Sequence, residues 1–119
     1  MLEPTRVPEL PEVETIRRQL APALEGRRLE RIEVLDPRWS DPAPPEAIGD
    51  ALDGRAIERL GRRGKYLTMS FEDDVHLVMH LRMTGNLLLT GEEPKHTRVR
   101  MTLDDGRKLL FVDVRRFGT

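Results

Sequence analysis

A chain of 119 residues has the size of one compact domain. With 38% apolar and 34% charged residues it has the means to build a core, which excludes a disordered polyelectrolyte. The lack of cysteine excludes a disulfide framework or a thiolate metal site within these residues, and a net charge of −1 excludes a surface that attracts nucleic acid all over, so any such affinity must come from local clusters.

Met1–Arg6 reads as an irregular tail, and residues 1–10 hold no apolar core of the kind a secretory signal requires. Pro8-Glu9-Leu10-Pro11 leads into a predicted helix that runs to about Leu24. Leu10, Val13, Ile16, Leu20 and Leu24 recur at helical spacing and make one apolar face. Glu12 and Glu14 in the first turn, with Arg17 and Arg18 after them, follow the order that suits a helix dipole. Pro22 is expected to end or bend this helix, and Gly26 closes the segment. Leu29–Leu35 alternates as a strand. Asp36–Pro45 is a proline-rich loop with the only tryptophan, Trp39. Pro45–Leu52 is a short predicted helix that buries Ile48 and Leu52 and stops at Gly54.

The period then switches to two. Strands are predicted at Ile57–Leu60, Tyr66–Phe71, Val75–Leu81, Asn86–Thr90, Val99–Leu103 and Lys108–Val114, with Asp104-Asp105-Gly106 as a tight hairpin. Val75–Leu81, the most apolar of these stretches, is broken by His76 and His80 and is too short to span a bilayer. The fold class is therefore α+β: an antiparallel β-sandwich with an N-terminal helix packed on it and a second short helix. Arg55, Arg59, Arg62, Arg63 and Lys65 cluster along the chain, as do Arg115 and Arg116; by composition alone such clusters read first as a solvated positive face and second as local DNA affinity.

Four segments carry more specific information: Val7-Pro8-Glu9-Leu10-Pro11-Glu12-Val13-Glu14-Thr15, Arg62-Arg63-Gly64-Lys65-Tyr66-Leu67, His80-Leu81-Arg82-Met83-Thr84-Gly85, and Asp113-Val114-Arg115-Arg116-Phe117-Gly118. In this order they resemble the N-terminal catalytic domain of the formamidopyrimidine-DNA glycosylases, from Val7 to the end of the chain. Leu10-Pro11 and Val13-Glu14 fit that branch better than the related endonuclease VIII branch. The resemblance implies a DNA glycosylase with AP lyase activity that removes 8-oxoguanine and formamidopyrimidines from double-stranded DNA in base-excision repair. It further implies a monomer in the bacterial cytoplasm, associated with the nucleoid, with lesion-bearing or abasic duplex DNA as partner and no membrane.

Residue by residue, the resemblance makes Pro8 the nucleophile, Glu9 the acid that assists sugar-ring opening, and Glu12 a support for the same site. A terminal proline is a secondary amine less basic than lysine, suited to Schiff-base chemistry at neutral pH. Lys65 corresponds to the proton donor in β-elimination, although a phosphate contact is equally natural for it. Met83, Arg115 and Phe117 correspond to the side chains that fill the gap left by a flipped nucleotide. His96 corresponds to a DNA-binding histidine, and His80 suits the same use. Read alone, the prolines would merely stiffen a helix entrance, Met83 or Phe117 would be core, and His80 a satisfied core histidine.

Some features depart from the pattern. Residues 1–7 precede Pro8 and leave its nitrogen in a peptide bond, where it has no nucleophilicity; the expectation is that translation starts at Val7 and that the extension is a start-site artefact. Val114 stands where the family commonly has proline. The helix–two-turn–helix and four-cysteine zinc-finger domains of the family are absent, so no cofactor is expected in this chain, and the fragment is expected to be weak or inactive alone. The alternative is a non-catalytic DNA-binding remnant of the same fold. A β-sandwich interaction module with a coincidental terminus belongs to a third class, disfavoured by four motifs in order.

Overall fold

The structure, a computed structural model, describes residues 9–81 and 84–114, with side chains from residue 11 onward. Pro8, Met83, Arg115 and Phe117, and the side chain of Glu9, lie outside the described residues.

Helix α1 (Glu9–Leu24) is followed by β1 (Leu29–Val34), α2 (Pro45–Leu52) and six strands: β2 (Ile57–Arg63), β3 (Tyr66–Phe71), β4 (Val75–His80), β5 (Gly85–Thr90), β6 (Thr97–Leu103) and β7 (Lys108–Asp113). They form two antiparallel sheets, one ordered β1-β6-β7-β5 and the other β2-β3-β4. This is the α+β arrangement expected from the sequence, with α1 against β2 and β3 and α2 against β1.

Alternation explains how both sheets share one core. On β3, Leu67, Met69 and Phe71 point inward; on β6, Val99, Met101 and Leu103 do the same; Leu109 and Phe111 of β7 meet them. Val13, Leu20, Ala21 and Leu24 make the buried stripe of α1 and join this cluster. Each fully buried side chain of this size contributes roughly 1.5–3 kcal/mol in transfer free energy. Trp39 closes the core from the loop side, its ring edge-on to Phe111 at 5.6 Å between centroids. Its position is held by Asp36, whose buried carboxylate accepts from the backbone N–H and the guanidinium of Arg38.

Pro22 neither ends nor visibly divides α1, which continues to Leu24. The proline sits in the last turn on the exposed side, where a single missing N–H costs little, and Glu25 N still donates to Ala21 O at 2.9 Å. β2 runs to Arg63, beyond the expected Leu60, because backbone pairing with β3 continues through Arg63↔Tyr66 after the apolar alternation has ended. The expected hairpin at Asp104-Asp105-Gly106 joins β6 to β7, with Gly106 at φ +89°.

Candidate nucleic-acid interface

Topology collects three of the four sequence motifs at one end of the sandwich. β2 ends and β3 begins there, β4 ends there at His80, β5 begins at Gly85, β6 begins at Thr97 and β7 ends at Asp113. The fourth motif, the start of α1, is tied to this end by an ion-pair cluster. Glu14 accepts from Arg17 Nη2 (2.7 Å), Arg18 Nε (2.8 Å) and Arg62 Nε (2.9 Å). Hydrogen bonds from Arg17, then Arg62, then Arg18 hold its carboxyl well below the usual carboxylate range. Arg62 also donates to Gly64 O at 2.9 Å, so one side chain fastens the β2–β3 turn to itself and to α1.

Gly64 has φ +60° and occupies the first central position of that two-residue turn, a conformation suited to glycine and to a tight hairpin. The turn puts Lys65 at its tip, exposed. Neither Lys65 nor the neighbouring Arg63 makes an ion pair with any described residue. Tyr66 follows, with its ring edge-on to His80 at 5.0 Å and 77°. The two residues are register partners on β3 and β4. His80 is thus half-buried at a strand end rather than enclosed in the core.

From His80 the chain crosses between the sheets in a few residues. Gly85 N donates to Leu81 O at 2.8 Å, and a Cβ at Gly85 would collide with that same carbonyl oxygen and press on Phe111. Glycine is required here for close approach, and the crossing is held in a tight loop as a result. Thr84 Oγ1 donates to the carboxylate of Asp113, which is 2% exposed, while Asp113 pairs with Gly85 across the ladder. Asp113 N donates to His96 O at 3.1 Å, and Arg98 Nε donates to Asp113 O at 3.1 Å. His96 is exposed and takes φ +65° in the turn before β6. Asp113 thereby links the Thr84 segment and the His96 turn to the end of β7.

Of the residues singled out in the sequence, Lys65, His80 and His96 therefore lie at one end of the molecule. Glu12 lies on the first turn of α1, exposed and without an ion pair among the described residues. Sequence reasoning missed Glu14, Tyr66 and Asp113. In the sequence Glu14 reads as a helix-dipole residue within the first motif, while its partner Arg62 stands in the second; nothing in linear spacing links residues 48 apart. Among the described residues no group of three or more His, Cys, Asp or Glu side chains is placed to hold a metal, and no helix is long and apolar enough to cross a membrane.

Comparison with known proteins agrees with this arrangement. Residues 7–119 match the family model of the formamidopyrimidine-DNA glycosylase N-terminal domain. The formamidopyrimidine-DNA glycosylase of Heliobacterium modesticaldum is 48% identical over 119 residues, covering 95% of this chain and 43% of that protein. The Lactococcus lactis enzyme solved with a Fapy-dG-containing DNA superposes with a TM-score of 0.83 at 37% identity, over 91% of this chain and 41% of the other. The same enzyme solved non-covalently bound to AP-site DNA gives a TM-score of 0.83 at 37% identity, over 91% and 42%. The chain thus spans about two fifths of the length of the relatives it matches. Motif order, sheet topology and matched length converge on one conclusion: the chain belongs to the formamidopyrimidine-DNA glycosylase family, whose N-terminal domain it represents.

Proposed function

We propose that this chain is the catalytic N-terminal domain of a base-excision DNA glycosylase and AP lyase acting on oxidised purines in duplex DNA. The observation that carries the reading is the convergence of the start of α1, the Lys65 turn, His80, Thr84–Gly85 and Asp113 at one end, fastened by Glu14–Arg62. The solved relatives with lesion-bearing and AP-site DNA supply the substrate class.

In this reading the amine of Pro8, freed when translation starts at Val7 and that initiator residue is removed, attacks C1′ of the damaged nucleotide. The C1′–N bond breaks and the base departs, with Glu9 assisting sugar-ring opening. The resulting iminium withdraws electrons from C2′, whose proton is lost, and the 3′ C–O bond breaks with its electrons leaving on the phosphate. Lys65 serves as proton donor in that elimination. Glu12 supports the anion balance of the first helical turn. Met83, Arg115 and Phe117 occupy the gap left by the flipped nucleotide, while His96 and His80 hold phosphates. The four-cysteine zinc site of the family has no donor set in these residues, which contain no cysteine, and no step is routed through zinc. The bacterial cytoplasm and nucleoid, and a monomeric state, complete the reading.

Borohydride reduction on an abasic-site duplex tests it. A chain beginning at Pro8 is expected to give a covalent adduct, and the chain carrying residues 1–7 none. No adduct from the Pro8-initiated chain, even with the C-terminal portion of a relative added, would overturn the reading. The second reading is a DNA-binding remnant in which residues 1–7 stay in place and keep the Pro8 nitrogen in a peptide bond; it predicts that the natively expressed protein retains Met1–Val7 by intact mass and binds DNA in a salt-dependent way without an adduct.

A further inference from the structure

On the outer face of the β2-β3-β4 sheet, Arg59, Arg63, Tyr66 and Val78 stand exposed. Three rows cross it: Arg63–Tyr66–His80, Gly61–Thr68–Val78 and Arg59–Ser70–His76. These rows except His80, together with Arg62, line a groove of about 620 Å³, and no acidic side chain is among its lining residues. Val78 is 58% exposed and Tyr66 43%, both large apolar surfaces left in water. Gly61 keeps the floor low, since a Cβ there would stand 3.0 Å from Thr68 Oγ1. Arg59 and Arg63 sit at opposite ends of the groove, and neither makes an ion pair with a described residue. Ser70 and His76 satisfy each other, with Oγ and Nδ1 at 3.0 Å, and His76 Nε2 contacts Asp74 at 2.8 Å beyond the rim.

We propose that this face is a second nucleic-acid surface, which seats an unpaired DNA strand with its phosphates toward Arg59 and Arg63 and a base against Tyr66 and Val78. The proposal rests on the reading of the chain as a DNA-binding domain and extends it beyond the lesion site. Two guanidinium groups with no ion pair among the described residues, in a groove with no carboxylate among its lining residues, call for a polyanion. A duplex satisfies the charge but keeps its bases stacked inside, leaving Tyr66 and Val78 unmatched. An unpaired strand presents phosphates and a free base face together, the combination that sheet surfaces with an aromatic platform and basic rims recognise. The groove is also continuous with the Lys65 turn through the Arg63–Tyr66–His80 row, so a strand leaving the lesion site enters it directly.

The test uses the 119-residue chain, fluorescent oligothymidylate and a lesion-free duplex of equal length. Val78→Glu is expected to weaken oligothymidylate binding on the order of tenfold, the effect of losing one stacked base. Arg59→Ala is expected to lower the slope of log K against log salt by roughly 0.7, one single-strand phosphate. Duplex binding should change less than about twofold, and because both residues are on the surface the unfolding midpoint should hold. In parallel, oligothymidylate should shift the amide resonances of Gly61, Thr68 and Val78. Unchanged oligothymidylate binding in both variants, or shifts elsewhere only, would overturn the proposal, as would shifts produced by a polyglutamate peptide and not by the oligonucleotide. Borohydride trapping is scored separately: an adduct with a silent groove strikes the groove alone, and a binding groove without an adduct strikes the enzymatic reading alone.

Discussion

Glu14 shows what one residue contributes to the whole site. Its carboxylate gathers Arg17 and Arg18 of its own helix and Arg62 from β2, so it orders the start of α1 against the turn that carries Lys65. Because its folded pKa is lowered, its stabilising contribution is complete above the unfolded carboxylate value of about 4.3 and is lost as pH falls toward the folded value. Glu14→Gln is therefore expected to lower the unfolding midpoint at pH 7, and the gap from the parent chain should narrow steadily as the pH falls below about 4. A gap that stays constant from pH 7 to pH 3, followed by urea unfolding, would show that the charge is not what holds these elements. Lys65 is the opposite case, exposed and without an ion pair among the described residues. Lys65→Ala should change stability by no more than roughly 0.5 kcal/mol while reducing strand cleavage in a chain that forms the Pro8 adduct. Equal adduct and cleavage yields in parent and variant would remove Lys65 from the elimination step.

At the level of elements, the β4–β5 crossing is the place where local geometry admits least change. The Gly85 amide bonds Leu81 O, and the missing side chain is what lets the two segments approach. The obstacle to a Cβ is backbone, which does not swing aside as the end of a long side chain does. Gly85→Ala is expected to destabilise by about 1–3 kcal/mol, the usual cost of overpacking, and to weaken abasic-duplex binding through the displaced crossing. Guanidinium unfolding followed by Trp39 fluorescence reads the first effect, since Trp39 packs on Phe111, the ring a Gly85 side chain would touch. Wild-type stability in this variant would mean that the crossing relaxes freely. The Asp104-Asp105-Gly106 hairpin is legible in the sequence because its residue types demand a turn, whereas the close backbone approach at Gly85 depends on the position of Leu81 in space.

At the level of the molecule, charge distribution outweighs net charge. The chain carries −1 overall, and many of its arginines are paired: Arg100 with Glu33 and Glu93, Arg55 with Asp73, Arg28 with Glu72. Among the described residues of the end that carries the motifs, Arg63 and Lys65 make no ion pair, and Arg82, Arg115 and Arg116 belong to the same motifs in the sequence. Duplex affinity should therefore fall with salt at a slope of roughly −2 to −5, about 0.9 for each phosphate neutralised. A slope near zero in fluorescence anisotropy between 50 and 200 mM salt (roughly the range over which such binding collapses) would deny these cations a role in phosphate binding.

The sequence by itself determined the element types, the two-period architecture, the Asp104-Asp105-Gly106 hairpin and the family. All of these follow from local propensity, alternation and short contiguous motifs, which are properties of neighbours along a chain. Only the tertiary structure decided that Glu14 and Arg62 are partners, that Asp113 joins the Thr84 segment to the His96 turn, and that Tyr66 stands against His80. Such contacts depend on strand order and register across two sheets, and a chain of residues read one after another does not specify which distant groups the packed core will bring within hydrogen-bond reach.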